Sequence, residues 1–194
     1  MSKIDFSKVG FETLMIHAGQ APDKETGALS TPIYQTSTFC FETVEEGQGK
    51  FAKKIPGFIY SRSGNPTNRA LELKIAALEG AEDAVATASG MGAIGAVMVA
   101  FLSTGDHVVC GDCVYGGTSV VMRTNLKQFG IDVTFVDTSD AIAVEAAVKA
   151  NTKLLYFETP TNPLMVVTDI KKMAEIAKRK GIKLVVDNTF APPL

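Results

Sequence analysis

The sequence lacks an excess of charge of either sign, and it lacks long apolar runs. Its 194 residues include 19 lysines and arginines against 21 aspartates and glutamates, a formal net charge of −2. Because nucleic acids and anionic membranes are held by strongly basic surfaces, neither partner is expected. No stretch approaches the roughly 18–20 apolar residues of a membrane span, and the opening "MSKIDFSKVGFE" lacks the apolar core of a signal peptide. These absences predict a soluble, cytoplasmic protein.

Histidine and cysteine are also scarce, with His17 and His107 as the two histidines and Cys40, Cys110 and Cys113 as the three cysteines. An odd number of cysteines without an export signal predicts free thiols rather than a disulfide framework. "CGDC" could be half a zinc site or a redox pair, but no second pair exists, so we predict no metal site. Each histidine stands alone and is assigned no role.

The character of the sequence changes near residue 66. The residues before it contain few periodic segments and many turn formers, as in "GQAPDKETGALSTP" and "SRSGNPT", which predict an extended N-terminal arm over residues 1–66. From residue 67 onward, short apolar runs alternate with helical patterns. We therefore predict an arm followed by one large domain over residues 67–194.

Alternating βα units predict an α/β fold with a mostly parallel sheet and helices on both faces. Ligands of such folds bind beyond the carboxyl ends of the strands, where the loops of this sequence are rich in glycine and polar residues. The predicted strands cover residues 83–88, 107–110, 132–136, 153–158 and 183–187, and the predicted helices cover residues 67–79, 117–129, 141–149, 170–180 and a segment beginning near residue 92.

The loop "SGMGAIG" at residues 89–95 predicts a phosphate site, because glycines at a strand-to-helix turn leave backbone N–H groups free to bind an anion. Gly90, Gly92 and Gly95 also fit G-x-G-x-x-G, with Asp112 near the expected ribose-binding position, so a dinucleotide-dependent oxidoreductase is an alternative. Against it, this motif follows more than eighty residues instead of opening the first βα unit. The glycines could also serve only close helix packing.

Five motifs together carry a family resemblance: "YSRSGNPT" at residues 60–67, "ASGMGA" at 88–93, "YGGT" at 115–118, "ETPTNP" at 158–163 and "VDNTF" at 186–190. In this order they resemble the Cys/Met-metabolism family of pyridoxal-phosphate enzymes, with likeness from "HAGQ" near residue 17 to the end. The resemblance implies a fold-type I pyridoxal-phosphate transferase architecture and pyridoxal 5'-phosphate (PLP) as cofactor.

The resemblance also implies roles for particular residues. Asp187 would pair with the protonated ring nitrogen of the cofactor and make the ring a better electron sink, although an aspartate there could also simply cap a turn. Tyr115 would lie on the ring face and handle a proton of the leaving group. The remaining predicted cofactor-binding residues are Ser89, Gly90 and Met91 at the phosphate, Tyr60 and Arg62 reaching the phosphate of a neighbouring subunit, and Asn162 and Thr189 without an assigned contact.

The family carries its Schiff-base lysine in an S-x-T-K segment beyond "VDNTF". The sequence stops before such a segment, and Thr152-Lys153 is poorly placed for the role, so we expect an N-terminal half that is inactive alone and lacks the small domain. The intact protein is predicted to be a homotetrameric carbon–sulfur γ-lyase, a dimer of dimers with shared sites, acting on sulfur amino acids. Methionine γ-lyases usually carry cysteine where this chain has Gly117, which favours cystathionine enzymes and keeps a γ-replacement enzyme open. A non-catalytic oligomerisation or binding fragment is a further alternative.

Overall fold

The computed structural model describes residues 6–191 and residue 193. The chain forms two compact units, one reaching to Ala86 and the other beginning at Thr87. The predicted arm of residues 1–66 and large domain of residues 67–194 concern the complete protein and stay predictions.

Among its described residues, the first unit contains helices, turns and irregular chain but no strand. Thr38 and Tyr60 form an isolated antiparallel bridge in it. The sequence patterns do not predict its first two helices, because seven or eight residues are too few for a clear apolar period. Within residues 6–86 the helices are a 3-10 turn at Phe6–Lys8 followed by α1 (Phe11–His17), α2 (Val44–Phe51) and α3 (Pro66–Glu79).

Helix α3 confirms the predicted helix of residues 67–79, and the sequence explains both of its ends. The Asn65 side chain accepts a hydrogen bond from the Thr67 backbone N–H at 2.9 Å. Pro66 occupies the first helical position, where a missing N–H costs nothing. Gly80 ends the helix with a φ of 61°, the left-handed conformation that glycine adopts without strain.

The second unit is built on a sheet of four parallel strands, β1 (His107–Gly111), β2 (Asp132–Val136), β3 (Thr152–Glu158) and β4 (Lys183–Asp187). They lie in the order β2-β1-β3-β4. The predicted parallel sheet and four of its five predicted strands are confirmed. The carboxyl ends of parallel strands meet at one edge, and there the last residues of β3 and β4, Glu158 and Asp187, are direct neighbours.

The predicted strand at residues 83–88 is wrong, because these residues form no strand and pair with no strand of the described chain. A strand needs a neighbour for its backbone groups, whereas here the N–H of Ala86 donates to the Glu72 carboxylate at 3.0 Å. Val85 is 83% exposed and covers no core. The alternation of apolar residues was therefore not sufficient to predict a paired strand here.

Helices cover both faces of the sheet, as predicted. Leu154 and Tyr156 of β3 point to one face, where they pack with the helix of residues 90–101 and with the helical segment that follows β1. Leu155 and Phe157 pack on the other face with the helices of residues 141–147 and 170–180. None of the described helices is long and apolar enough to cross a bilayer. The helices of this unit are α4 (Gly90–Phe101), α5 (Gly116–Val120), a π-helical segment (Val121–Asn125), α6 (Leu126–Gln128), α7 (Ala141–Ala147) and α8 (Ile170–Lys180).

His107 is fully buried at the start of β1. Its Nδ1 lies 2.7 Å from Thr152 Oγ1 and its Nε2 lies 2.8 Å from Thr134 Oγ1, so both ring nitrogens have hydroxyl partners on the flanking strands. Burial lowers the pKa of His107 below the usual value of an imidazole. The side chain therefore joins three strands as a neutral ring.

Candidate active site

A cavity of about 530 Å³ opens in the second unit at the carboxyl ends of the strands. This is the edge of a parallel sheet where ligands of α/β proteins bind, and the volume lies in the range of small-molecule sites. The structure brings seven of the nine predicted cofactor-binding residues to this cavity, and their roles stay predictions. The seven are Ser89, Gly90, Met91, Tyr115, Asn162, Asp187 and Thr189.

The N-terminus of α4 forms one end of the cavity. Ser89 caps this twelve-residue helix, since its Oγ accepts a hydrogen bond from the Gly92 N–H at 3.0 Å. The N–H groups of Gly90 and Met91 precede any intrahelical acceptor and have no hydrogen-bond partner within the described chain. Two free donors and the positive end of the helix dipole make this end suited to an anion.

Asp187 is the last residue of β4, and three hydrogen bonds fix its carboxylate. Oδ1 accepts from the Thr189 N–H at 3.2 Å and from its hydroxyl at 2.5 Å, whereas Oδ2 accepts from the Tyr156 hydroxyl at 3.0 Å. The turn cap considered from the sequence therefore exists but occupies Oδ1 alone. Because an ionised carboxylate has about four acceptor positions, Asp187 can still bind a cationic N–H in the cavity.

Tyr156 is a site residue that the sequence analysis missed. It lies on β3, next to β4, and only 1% of its surface is exposed. Burial raises the pKa of Tyr156 well above the usual phenol value, and the adjacent charge of Asp187 raises it further. The hydroxyl therefore stays protonated and donates to Asp187. A tyrosine in a buried strand that ends in an acid was the available signal.

Glu158 is the second missed residue. It ends β3, lines the cavity and is 4% exposed. Its Oε2 accepts from the Tyr115 N–H at 2.7 Å and its Oε1 accepts from the Asn162 N–H at 2.6 Å. One buried carboxylate thus joins the loops that follow β1 and β3.

The Tyr115 ring is about half exposed at the cavity. A Cβ atom added at Gly117 would lie 2.8 Å from Tyr115 Cε1 and 2.9 Å from Met91 Sδ. Both distances are shorter than van der Waals contact, so the absent side chain lets the aromatic ring and the sulfur pack at this wall. Any larger residue at position 117 would displace one of them.

Tyr60 and Arg62 belong to the first unit. The Arg62 guanidinium lies 5.0 Å from the centre of the Tyr60 ring, and both side chains are exposed. Arg62 forms no ion pair with a carboxylate of the described residues. An exposed arginine over an aromatic ring is available to an anionic partner.

The chemistry at "CGDC" does not favour a metal or a dinucleotide. Burial raises the pKa of Cys110 to about 12, so its thiol stays protonated at neutral pH. Cys40, Cys110 and Cys113 are free thiols, and the described residues hold no cluster of three or more metal-ligating side chains. Asp112, the proposed ribose-binding acid, is exposed and lies outside the cavity lining.

Comparisons with known proteins support the family resemblance that the five motifs indicate. Residues 12–194 match the family described as Cys/Met metabolism PLP-dependent enzyme. The chain is 46% identical over its full length to an L-methionine gamma-lyase of Porphyromonas gingivalis, covering 48% of that protein. It is 51% identical over 94% of its length to a cystathionine gamma-lyase of Bacillus subtilis, covering 46% of that protein. The chain thus spans about half the length of these curated relatives.

A solved structure shares the fold and carries the cofactor. The chain superposes with a TM-score of 0.90 on a Campylobacter jejuni protein assigned as an O-acetylhomoserine (thiol)-lyase, at 35% identity. The alignment covers 95% of this chain and 45% of that one, which contains an N'-pyridoxyl-lysine-5'-monophosphate residue. The α/β fold predicted from the sequence is therefore the fold of PLP-dependent enzymes.

Proposed function

The chain belongs to the Cys/Met metabolism family of PLP-dependent enzymes, and from that premise we propose that the complete protein is a carbon–sulfur γ-lyase. Its substrates are the sulfur amino acids methionine, cystathionine or homocysteine, and its products are an α-keto acid, ammonia and a thiol or amino acid. One observation carries the proposal: the oriented Asp187 carboxylate lines the same cavity as the free N–H groups of α4. The relatives named methionine and cystathionine gamma-lyases support it.

The cavity residues fit PLP at both of its charged positions. The N–H groups of Gly90 and Met91, with the Ser89 hydroxyl, would hold the phosphate at the start of α4. Asp187 would accept the N–H of the protonated ring nitrogen, and the Tyr115 ring would lie on the pyridine face. A carboxylate, an aromatic ring and a helix N-terminus around one cavity match the chemistry of this cofactor.

Bound PLP supplies an electron sink for the carbanion that forms when the substrate loses a proton. Asp187 favours the charged ring because an opposite charge in a partly desolvated site stabilises a protonated nitrogen. Tyr156 and Thr189 hold the carboxylate in place by hydrogen bonds to its two oxygens. Tyr115 moves a proton of the leaving group, and Asn162 contacts the cofactor or substrate from the loop after β3.

The complete enzyme is further proposed to work in the cytoplasm as a homotetramer, a dimer of dimers with sites shared between subunits. Tyr60 and Arg62 would then bind the cofactor phosphate of a neighbouring subunit. Their exposure, and the lack of a carboxylate partner for Arg62 within the described chain, support this role.

The 194-residue chain alone is proposed to be inactive. No lysine is among the described residues that line the cavity, whereas the chemistry requires a lysine to bind the cofactor covalently and to shuttle protons. In the complete protein this lysine would come from a sequence segment of the Ser-x-Thr-Lys type.

A γ-replacement enzyme is the second candidate, and Gly117 favours it together with cystathionine lyases. The cysteine usual in methionine γ-lyases would crowd Tyr115 and Met91 in this cavity. The Campylobacter jejuni relative, assigned as an O-acetylhomoserine (thiol)-lyase, supports the same candidate. A dinucleotide oxidoreductase is disfavoured because Asp112 lies off the cavity.

The test is a lyase assay on the complete protein and its variants. We expect α-keto acid release from cystathionine or homocysteine with a higher kcat/KM than from methionine, and a loss of at least about 100-fold in kcat for Asp187→Ala. Asp112→Ala, which removes an exposed carboxylate outside the cavity, is the matched control and should retain activity.

Mixing inactive Arg62→Ala and Asp187→Ala proteins under subunit exchange should restore part of the activity, since hybrid dimers contain one intact site.

Each contrary outcome has a specific meaning. No keto acid from any sulfur amino acid would contradict a lyase, and product formed only with an added thiol or cysteine and an activated homoserine would identify the γ-replacement enzyme. A preference for methionine would overturn the inference from Gly117. Absence of rescue in the mixture would show that each subunit supplies its own phosphate ligands.

A further inference from the structure

Glu158 is a buried carboxylate that lines the cavity. It is 4% exposed, and no lysine or arginine of the described chain forms an ion pair with it. A buried carboxylate is costly unless hydrogen bonds satisfy both oxygens. Whether Glu158 is stable in this buried position therefore depends on what its two oxygens bind.

Both oxygens bind backbone N–H groups of residues that line the cavity. Oε2 accepts from Tyr115 at 2.7 Å and Oε1 accepts from Asn162 at 2.6 Å. Tyr115 directly precedes α5, and Asn162 lies in the loop after β3, so neither N–H has an acceptor from a regular helix or ladder. These two bonds satisfy two orphan donors and connect two loops through one side chain.

Only a carboxylate can make both bonds. A carboxylate presents an acceptor on each oxygen, whereas the glutamine amide presents one oxygen and one NH₂ donor that would face an N–H. We propose that Glu158 is a positioning residue, which fixes Tyr115 and Asn162 at the cavity by accepting their backbone N–H groups. The expected effect of Glu158 on kcat rests on the proposed lyase function. Its expected effect on hydrogen exchange at the Tyr115 and Asn162 amides does not.

The first measurement is single-residue hydrogen exchange on the complete protein. In Glu158→Gln at least one of the amides of Tyr115 and Asn162 should exchange about tenfold faster or more, because one hydrogen bond to a charged acceptor is lost. The amides of Val109 and Leu155 inside the sheet should keep their wild-type rates. Glu145→Gln is the matched control, since it also breaks charged contacts, with Arg179 and Lys180, but on exposed helices.

The second measurement separates positioning from simple support of the fold. Glu158→Gln is expected to lower kcat about tenfold while KM changes less than about threefold, because misplaced groups act on the reacting step. Glu158→Asp keeps two acceptors on a shorter side chain and should recover part of the kcat. Equal acceleration of exchange along β1 and β3 would mean that Glu158 is only structural.

The outcomes distinguish this proposal from the proposed function. Wild-type lyase activity together with unchanged exchange at Tyr115 and Asn162 in Glu158→Gln would overturn the role of Glu158. Absence of lyase activity would overturn the function, and exchange would still decide whether the carboxylate holds the two loops. If Glu158→Gln does not fold, the wild-type amides of Tyr115 and Asn162 must still be protected, and exchange at the rate of an unstructured peptide would contradict the proposal.

Discussion

At the scale of single residues, the candidate site depends on side chains whose roles come from neighbours across the sheet. Tyr156 and Glu158 lie two positions apart on β3, so their side chains point to the same face of the sheet. Helix α4 packs on that face. The first donates to the carboxylate of Asp187, and the second accepts from the loops around the cavity. Two side chains of a buried strand therefore hold the polar groups at the cavity in place by hydrogen bonds.

We predict that Tyr156→Phe weakens both stability and catalysis. The change removes a buried hydroxyl that donates to Oδ2 of Asp187 at 3.0 Å, which should reduce the free energy of unfolding by about 1–2 kcal/mol. Because the Asp187 carboxylate is then positioned less precisely, we expect the kcat of the complete protein to fall about threefold to tenfold. Urea unfolding followed by circular dichroism and the lyase assay measure the two effects.

Tyr34→Phe is the matched control for this prediction. The Tyr34 hydroxyl also faces a carboxylate, but at 3.5 Å from Asp23 and only partly buried, so its removal should cost no more than about 0.5 kcal/mol. If the two variants lose the same stability and Tyr156→Phe keeps full activity, the Tyr156 hydroxyl does not hold Asp187.

At the scale of elements, close backbone packing explains how α1 and α3 meet in the first unit. Gly19 follows α1 with a φ of 76°, and a Cβ atom there would lie 2.2 Å from the Ala70 carbonyl oxygen and 2.6 Å from the Lys74 nitrogen of α3. Both contacts involve backbone that cannot rotate away. Glycine is therefore required at this position for its conformation and for its size.

We predict that Gly19→Ala destabilises the chain by roughly 3 kcal/mol or more, combining the cost of a left-handed backbone with steric overlap. Gly27→Ala is the control, since Gly27 has a φ of 72° but no atom within 4 Å of an added Cβ, and it should lose only about 1–2 kcal/mol. Urea unfolding of both variants measures the difference. Equal losses would show that α3 moves aside without cost.

Most elements of the second unit could be predicted because apolar periodicity and helix caps lie within one short segment of sequence. Features that depend on contacts with distant segments could not be predicted. Strands β1 to β4 and helices α4, α7 and α8 follow from apolar periodicity and caps within each segment. Residues 83–88 carry the same kind of pattern, but pairing depends on distant chain, and the prediction was wrong. The π-helical segment Val121–Asn125 has no sequence signal that we recognise.

The candidate site likewise contains features that are local in the sequence and contacts that form only on folding. The positions of Asp187 and of the loop at residues 89–91 at the cavity could be predicted because a strand end and a glycine-rich turn are local features, and their roles stay predictions. Tyr156 and Glu158 were missed because their contacts, with Asp187, Tyr115 and Asn162, join positions that only folding brings together. Glu158 opens the motif "ETPTNP", but nothing in the sequence around it indicates its contacts.

At the scale of the whole molecule, the chain spans about half the length of its curated relatives, and its cavity is the proposed place of the cofactor. The described cavity-lining residues include the N-terminus of α4 and the carboxylate of Asp187, but no lysine. The complete protein is therefore expected to add a covalent anchor on the remaining side of the cavity, while residues 1–194 bind free PLP only weakly.

Absorbance of the purified complete protein, before and after borohydride, tests the central claim most directly. We expect a yellow protein that borohydride bleaches, with one lysine per subunit carrying the reduced cofactor and lying outside the fifteen lysines of residues 1–194. The 194-residue chain treated in the same way should show no stoichiometric labelling of any lysine. A colourless complete protein that fails to bind PLP, or stoichiometric labelling of one of those fifteen lysines, would contradict this account of the site.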